Sequence, residues 1–360
     1  MNSKKDFLFK TFVSFLLFSL IGVYTYGQEK ADPALPGVPK AAGPAGNNSS
    51  QDPAQFQSRF FFLLPLGYDF SFLGEQAVHS PAAGAGFLIG KQDLSLIMVE
   101  RRFYALALYQ PLVFTKTPAP GVPKMLHQID AIFDGRLERQ QLLFIFKSSS
   151  DKPVSGGLNT FRTAAGWGYE VIRRPGVSLI LGAVLGLSDF NLTLPSGTPI
   201  HVLPLPLVRF GIDTQWFTSS FDFITGPNFE FAIAPKEKIR FTGEMRMDNY
   251  RSIADLVCEY TLWYRFFANS NARDDFAGIG AGFKNDLTDF NLSRDVAAGR
   301  RAKTFELRQT SVFAVLDFAL VKIKGGWVFD SAYLLDGKKA GSPGRGIFLS
   351  VQGIIPISIR

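Results

Sequence analysis

The sequence predicts an all-β protein, an antiparallel transmembrane β-barrel of about 12 strands (roughly 10 to 14). The first observation is that apolar and polar positions alternate without interruption through residues 239–248. Successive side chains of a strand point to opposite faces, so this segment has one apolar and one ionic face. The second is that similar segments recur to the C-terminus, at about the length that a tilted strand needs to cross a bilayer. The third is an N-terminal export signal.

The composition supports a barrel wall over a soluble core. Charged residues make up 19% of the chain and aromatic residues 14%, with 36 phenylalanines. An ordinary soluble protein carries about 25% charged residues. The net charge of +7 is a mild excess for 360 residues, so no nucleic-acid partner is expected.

Residues 1–27 are predicted to be a cleaved signal peptide. Three lysines in the first ten residues precede an apolar run over 11–24, and such a run is too short to span a bilayer comfortably. The alternative is an uncleaved membrane helix. No cysteine stands directly after the run, which argues against a lipid-anchored lipoprotein.

Residues 28–57 are predicted to be a disordered linker, and residues 58–360 the outer-membrane β-barrel. The linker is rich in Pro, Ala and Gly, so it has little apolar surface to offset the entropy of ordering. The alternative is that this segment docks into the lumen as a plug.

The connections between the predicted strands alternate in size. Short turns are expected near 173–176 and 235–238, and longer loops near 111–126, 191–201, 269–275, 291–302 and 334–346. Short periplasmic turns with longer external loops are typical of such barrels. Pro204 and Pro206 predict a loop that leads into a strand, because proline cannot donate to a β-ladder.

The sequence argues against an enzyme. Barrel lipases and deacylases share a His-x-Ser pair, but no serine stands two residues after His79, His127 or His201. Without a base beside it, a serine hydroxyl is not activated as the nucleophile that this mechanism needs. The single cysteine, Cys258, and three scattered histidines give no metal-ligand spacing. The glycines of residues 278–282 alternate with apolar residues, as in a strand and unlike a phosphate loop. No cofactor is expected.

The charged strand residues are the candidate lining of the lumen. A charged side chain on the lipid face costs about 2 to 4 kcal/mol near the midplane, so the ionic faces should point inward. They either line a polar channel or pair across the lumen and close it. The candidates are Arg136, Glu138, Arg162, Glu170, Arg240, Glu244, Arg246, Glu306, Arg308, Lys322 and Lys324.

The signal, the Pro-rich lead and the segment Leu203-Pro204-Leu205-Pro206-Leu207-Val208-Arg209-Phe210-Gly211 before an aromatic strand resemble poorly characterised outer-membrane β-barrel families of spirochaetes and Bacteroidetes. The resemblance covers about residues 58–360 and implies a barrel with no assigned substrate. Such barrels often end in an aromatic residue that the barrel-insertion machinery recognises, whereas this chain ends in Arg360.

The functional expectation is a porin-like channel or transporter for small solutes. The protein is expected in a bacterial outer membrane, with outer-membrane lipid and the insertion machinery as its partners. The alternative is a non-conducting structural or surface-interaction barrel that uses its long external loops. The pattern carries no signal for an oligomeric state.

Overall fold

The structure, a computed structural model, describes residues 58–92, 99–153, 157–193, 195–223, 227–247, 256–266, 277–293, 303–318 and 320–359. The predicted signal peptide and linker lie outside these residues. The elements are β1 (Ser58–Leu73), β2 (Gln76–Gln92), β3 (Val99–Phe114), β4 (Met125–Leu137), β5 (Gln140–Ser150), a 3-10 turn (Leu158–Thr160), β6 (Arg162–Arg174), β7 (Val177–Thr193), β8 (Pro199–Asp213), β9 (Phe217–Phe223), β10 (Pro227–Ile233), β11 (Ile239–Met247), β12 (Leu256–Arg265), β13 (Ala277–Leu292), β14 (Lys303–Phe318), β15 (Val321–Leu335), β16 (Lys338–Gly341) and β17 (Gly346–Ile359).

The strands form one closed antiparallel barrel. Each wall strand pairs with its neighbours along the chain, and β1 pairs with β17 over Phe60–Leu73 to close the ring. The short β16 pairs with the end of β15, while β17 pairs with the rest of that strand, so β16 and β17 together act as one wall strand. In the described chain the wall therefore has sixteen strands, and the prediction of about 12 strands, or at most 14, is wrong.

The count was too low because alternation is weak where both faces of a strand have similar polarity. The sequence of β2 is rich in alanine and glycine, and β9 has only seven residues. In β5, Leu143 is buried inside the barrel while Leu142 and Phe144 are exposed outside it. An apolar interior erases the period of two on which the strand count depends.

The barrel has two different ends. The turn end contains both the start of β1 and the end of β17, and short turns join β4 to β5, β6 to β7 and β14 to β15 there. The loop end carries longer connections, at 115–124, 151–161 and 336–345. The predicted loop at 191–201 is shorter than expected, because β7 and β8 extend into it. The predicted loop at 269–275 lies outside the described residues.

The outer face of the barrel is apolar over most of the wall. Leu66, Leu185, Leu262, Val312 and Ile347, from five different strands, are 47 to 60% exposed. Contiguous apolar surface of this extent needs a covering medium. No helix among the described residues has the length and hydrophobicity to cross a membrane.

Pro204 and Pro206 lie inside β8, so the prediction of a loop at these prolines is wrong. They pair with Leu185 and Ala183 of β7. On its other side β8 pairs with β9 only over Val208–Asp213. In the described structure the prolines therefore lie on a stretch with one strand partner, where a missing N–H donor is tolerated.

Within the described ranges, three apolar clusters fill parts of the interior. The smallest consists of Trp263, Phe313 and Val315, and the two larger clusters lie at the side and at the loop end. One, the side lobe, joins β5 to β8 through Leu143, Ala164, Ile180, Val184 and Leu207. The other, the loop-end core, comprises Val78, Phe114, Ala119, Val122, Leu126, Phe290, Leu292, Phe305, Leu307 and Tyr333.

The loop end is also narrowed by a contact across the ring. Ser150 of β5 and Asn291 of β13 pair in parallel, although these strands stand eight positions apart in the sixteen-strand ring. Asp151 then accepts hydrogen bonds from the backbone N–H and the hydroxyl of Ser293, at 2.7 and 2.9 Å. The axial route at the loop end is therefore closed by a strand pairing and a packed core.

Gly182 should be essential to the side lobe. A Cβ at this position would overlap the carbonyl oxygen of Trp167 and the Cα of Gly168, so Gly182→Ala should lower the midpoint temperature of unfolding in detergent micelles. Gly325→Ala is the matched control, because its Cβ would stand 3.6 Å from the nearest atom. Equal midpoints for the two variants would contradict the packing described for the lobe.

Candidate functional site

The candidate site is the space inside the barrel that the apolar clusters leave open. It consists of two cavities with volumes of about 930 and 410 Å³. The larger, the turn-end cavity, reaches Asp213, Arg240 and Leu320 at the turn end. The smaller, the inner cavity, lies toward the loop end and is lined by Gln128 and Lys147 among others.

The two cavities share four polar lining residues, which we name the constriction. Asp69, Gln110, Lys322 and Gln352 line both of them. The Gln110 amide donates a hydrogen bond of 2.9 Å to a carboxylate oxygen of Asp69, and the Lys322 ammonium stands 3.5 Å from Asp317. The constriction residues thus lie on the inner faces of β1, β3, β15 and β17, and Asp317 of β14 stands beside them.

The two cavities carry opposite formal charge. Six acidic and two basic side chains line the turn-end cavity, for a formal charge of −4: Asp69, Asp213, Glu230, Glu244, Glu259 and Asp317 against Arg240 and Lys322. Five basic and three acidic side chains line the inner cavity, for +2: Lys147, Arg246, Lys284, Lys322 and Lys324 against Asp69, Asp286 and Asp289. A solute that passes from the turn-end cavity to the inner cavity therefore moves from a net negative lining to a net positive one.

Strand register sets an ionic row in the wall of the turn-end cavity. Glu230, Glu244 and Glu259 stand directly opposite one another on β10, β11 and β12. Like charges opposite one another repel, so this row needs compensation from elsewhere. Lys324 of β15 supplies part of it, with its ammonium 2.6 and 2.7 Å from the two carboxylate oxygens of Glu259. Arg246 stands 3.9 Å from Glu244.

Five of the eleven sequence-predicted residues line the cavities. Arg240, Glu244 and Arg246 do so from β11, and Lys322 and Lys324 from β15. Met245 and Met247 belong to the other face of β11, because side chains alternate along a strand.

The other six predicted residues lie elsewhere. Arg136 and Glu138 are exposed near the β4–β5 turn, Arg162 is exposed at the start of β6, and Glu170 pairs with Arg173 at 2.5 Å. Leu307 and Gln309 line the inner cavity, which places Glu306 and Arg308 on the opposite face of β14. The expected sidedness is reversed there because the loop-end core makes the interior apolar.

Sequence reasoning missed several charged lining residues. Asp69, Glu259, Lys284, Asp286 and Asp317 all line a cavity. Asp69 and Glu259 alternate with aromatic or apolar residues of β1 and β12, so the rule that selected Arg240 could have found them. Lys284 and Asp286, 2.8 Å apart, stand in β13 beside Asn285, where alternation gives no signal.

Arg209 closes the side lobe away from the cavities. Its guanidinium stands 2.7 Å from Asp134 of β4 and 2.5 Å from Asp222 of β9, with its side chain 19% exposed. The ion pair with Asp134 crosses the interior, since β5, β6 and β7 stand between β4 and β8 in the wall. The three side chains hold the inner face of β8 against β4.

Neither the geometry nor the ligand types indicate a metal centre. In the part of the chain that the structure describes, no group of three or more His, Cys, Asp or Glu side chains is placed to hold a metal ion.

Comparison with solved structures finds bacterial porins at low similarity. A BenF-like porin from Pseudomonas fluorescens Pf-5 is 10% identical with a TM-score of 0.30, over 84% of this chain and 99% of the porin. OccAB3 of Acinetobacter baumannii is 8% identical with a TM-score of 0.34, over 83% and 99%. OpdQ of Pseudomonas aeruginosa is 10% identical with a TM-score of 0.34, over 84% and 100%. Overlap at this level identifies no solute.

No protein-family model and no curated protein matches the sequence. The bacteria named among the solved structures are Pseudomonas and Acinetobacter. The resemblance to spirochaete and Bacteroidetes families therefore gains no support.

Arg209→Met should destabilise the barrel, because it leaves Asp134 and Asp222 without their shared cation. Removing one partner of a largely buried ion pair costs about 3 to 5 kcal/mol, and partial exposure here reduces that to about 2 kcal/mol. The measurement is the denaturation midpoint of the protein refolded into lipid vesicles. Lys116→Met removes an ion pair whose side chains are 59 and 90% exposed, and it should shift the midpoint far less. Equal shifts would contradict the role given to Arg209.

Proposed function

We propose that this chain is a porin-like channel of a bacterial outer membrane that passes small solutes. One observation carries the proposal: a closed sixteen-strand barrel with an apolar exterior encloses two charged cavities that share a constriction. A lipid bilayer is the medium that such an exterior requires, because only closed barrels and helices satisfy their backbone groups in hydrocarbon. Residues 1–27 act as the cleaved signal, residues 28–57 as the linker, and the insertion machinery places the barrel with its turn end in the periplasm.

The charged lining supports a path for ions and polar solutes. Arg240 and Glu244 face the turn-end cavity, and Arg246, Lys322 and Lys324 face the inner cavity. Charged side chains that remain partly exposed inside a barrel keep its lumen hydrated and give it an ion preference. We infer that the constriction of Asp69, Gln110, Lys322 and Gln352 selects solutes by size and charge.

The first prediction concerns conductance. The purified protein, inserted into planar lipid bilayers in salt solution, should produce discrete current steps when the loop-end core opens, because the two charged cavities then form one polar path across the barrel. The contradicting result is a protein that inserts but passes no current, both as wild type and when a mutation opens the loop-end core. That result would favour the alternative, a sealed barrel that acts through its external loops.

The second prediction concerns ion preference. Glu230→Gln combined with Glu244→Gln halves the formal charge of −4 in the turn-end cavity, so the cation-to-anion permeability ratio should fall. The reversal potential in a KCl gradient measures this ratio. The change should be larger in about 0.1 M salt than in about 1 M, because the screening length falls from about 10 to about 3 Å. Glu237→Gln, in the exposed β10–β11 connection at the same end, is the control, and an equal effect of the control would reject the assigned cavity charge.

A further inference from the structure

The loop-end core is the roof of the inner cavity. Val78, Phe290 and Leu307 belong both to that core and to the lining of the cavity. Among the described residues, this core therefore lies between the inner cavity and the loop end.

Two members of the core come from a loop, whereas the others come from strands. Ala119 and Val122 lie in the β3–β4 connection, residues 115–124, which we name the wedge loop. Both are almost fully buried, at 4 and 2% exposure. The strand-borne members are fixed by the barrel ladder, as Phe114, Phe305 and Tyr333 are by their pairings in β3, β14 and β15. The wedge loop is the part of the core that the ladder does not hold.

The wedge loop is stiff in its middle and fixed at its base. Pro118, Pro120 and Pro123 each restrict φ to a narrow range, and the Val122 N–H donates to the Ala119 carbonyl at 3.0 Å. Gly121 has a φ of +79°, and no described atom lies within 4 Å of where its Cβ would stand. These restrictions make the middle of the loop stiff.

The base of the wedge loop is bonded to β2 and to its own other end. The Thr115 N–H donates to the Ala77 carbonyl at 3.0 Å, and the Phe114 N–H to the Lys124 carbonyl at 2.7 Å. Lys116 adds an exposed ion pair with Glu75 at 2.7 Å, and this hydrogen bond and charge lower the pKa of the Glu75 carboxyl. In the described structure, the deeper part of the loop is held mainly by the burial of small apolar side chains.

We propose that the wedge loop is a tethered plug that gates the loop-end exit of the channel. In the closed state it fills the core with Ala119 and Val122. When it swings out about its base as one piece, the core loses these members and the inner cavity connects to the loop end. This inference rests on the proposed channel function.

The test places a charge on the buried side of the plug. Val122→Asp would put a carboxylate among Phe114, Phe305 and Tyr333, where desolvation disfavours it, so the loop should be expelled. Thr117→Asp adds the same charge at an exposed position of the same loop. In planar bilayers Val122→Asp should raise the time-averaged conductance several-fold over wild type, and Thr117→Asp should leave it unchanged.

A second measurement covers the case in which Val122→Asp does not fold. In a Cys258→Ser background, Val122→Cys should react slowly with a bulky maleimide, because the site is buried until the loop swings out. The bulky label should then prevent the wedge loop from returning to the core, so the conductance of the labelled protein should rise. Thr117→Cys should react quickly and leave the conductance as it was.

Every combination of results supports or contradicts the plug. Increased conductance in Val122→Asp, or in labelled Val122→Cys, supports the plug even if the wild type is silent. A conducting wild type whose Val122 variants behave identically overturns the plug and leaves the channel function intact. If neither the wild type nor any variant conducts ions, both the plug and the channel function are overturned.

Discussion

Closure of the sheet is the constraint on which the rest of the structure depends. A strand edge in hydrocarbon would leave a row of unsatisfied backbone groups, each costing several kcal/mol. The pairing of β1 with β17 removes that edge, and it brings both ends of the described chain to the turn end. A ring of sixteen strands is wide, however, and its interior must be either filled or wet.

In this chain one part of the interior is filled with apolar side chains and another part is left open to water. The side lobe brings the inner faces of β5 to β8 together, with Gly182 allowing close approach and Arg209 holding β8 against β4 and β9. The loop-end core fills the space beneath the long loops. The remaining volume is lined mainly by β1–β3 and β9–β17, with Lys147 of β5 and Asp213 of β8 at its edges, and it contains the charged side chains. The position of the cavities thus follows from what the apolar residues leave unfilled.

The exterior was predictable from the sequence and much of the interior was not. Alternation in β11 gives the correct face for Arg240 and Glu244, because apolar side chains face lipid along that strand. The same rule fails in β14, where Phe305 and Leu307 turn inward to a packed core and Glu306 turns away from it. The polarity of its residues identifies the inner face of a strand only where the barrel interior beside it is hydrated. The ion pairs of Arg209 likewise join β4, β8 and β9, and no local pattern encodes such a meeting.

The ionic row shows why a partly paired lumen differs from a sealed one. Glu259 is paired with Lys324, whose side chain is only 16% exposed, and this pair crosses from β12 to β15 and fills space. Glu244 is 47% exposed and has its arginine at 3.9 Å, too far for a strong hydrogen bond. Complete pairing would neutralise the row and close the lumen. Since Glu230 and Glu244 stay exposed beside a paired Glu259, the same row both narrows the interior and keeps a hydrated, acidic side, which is the condition for passage of a small polar solute.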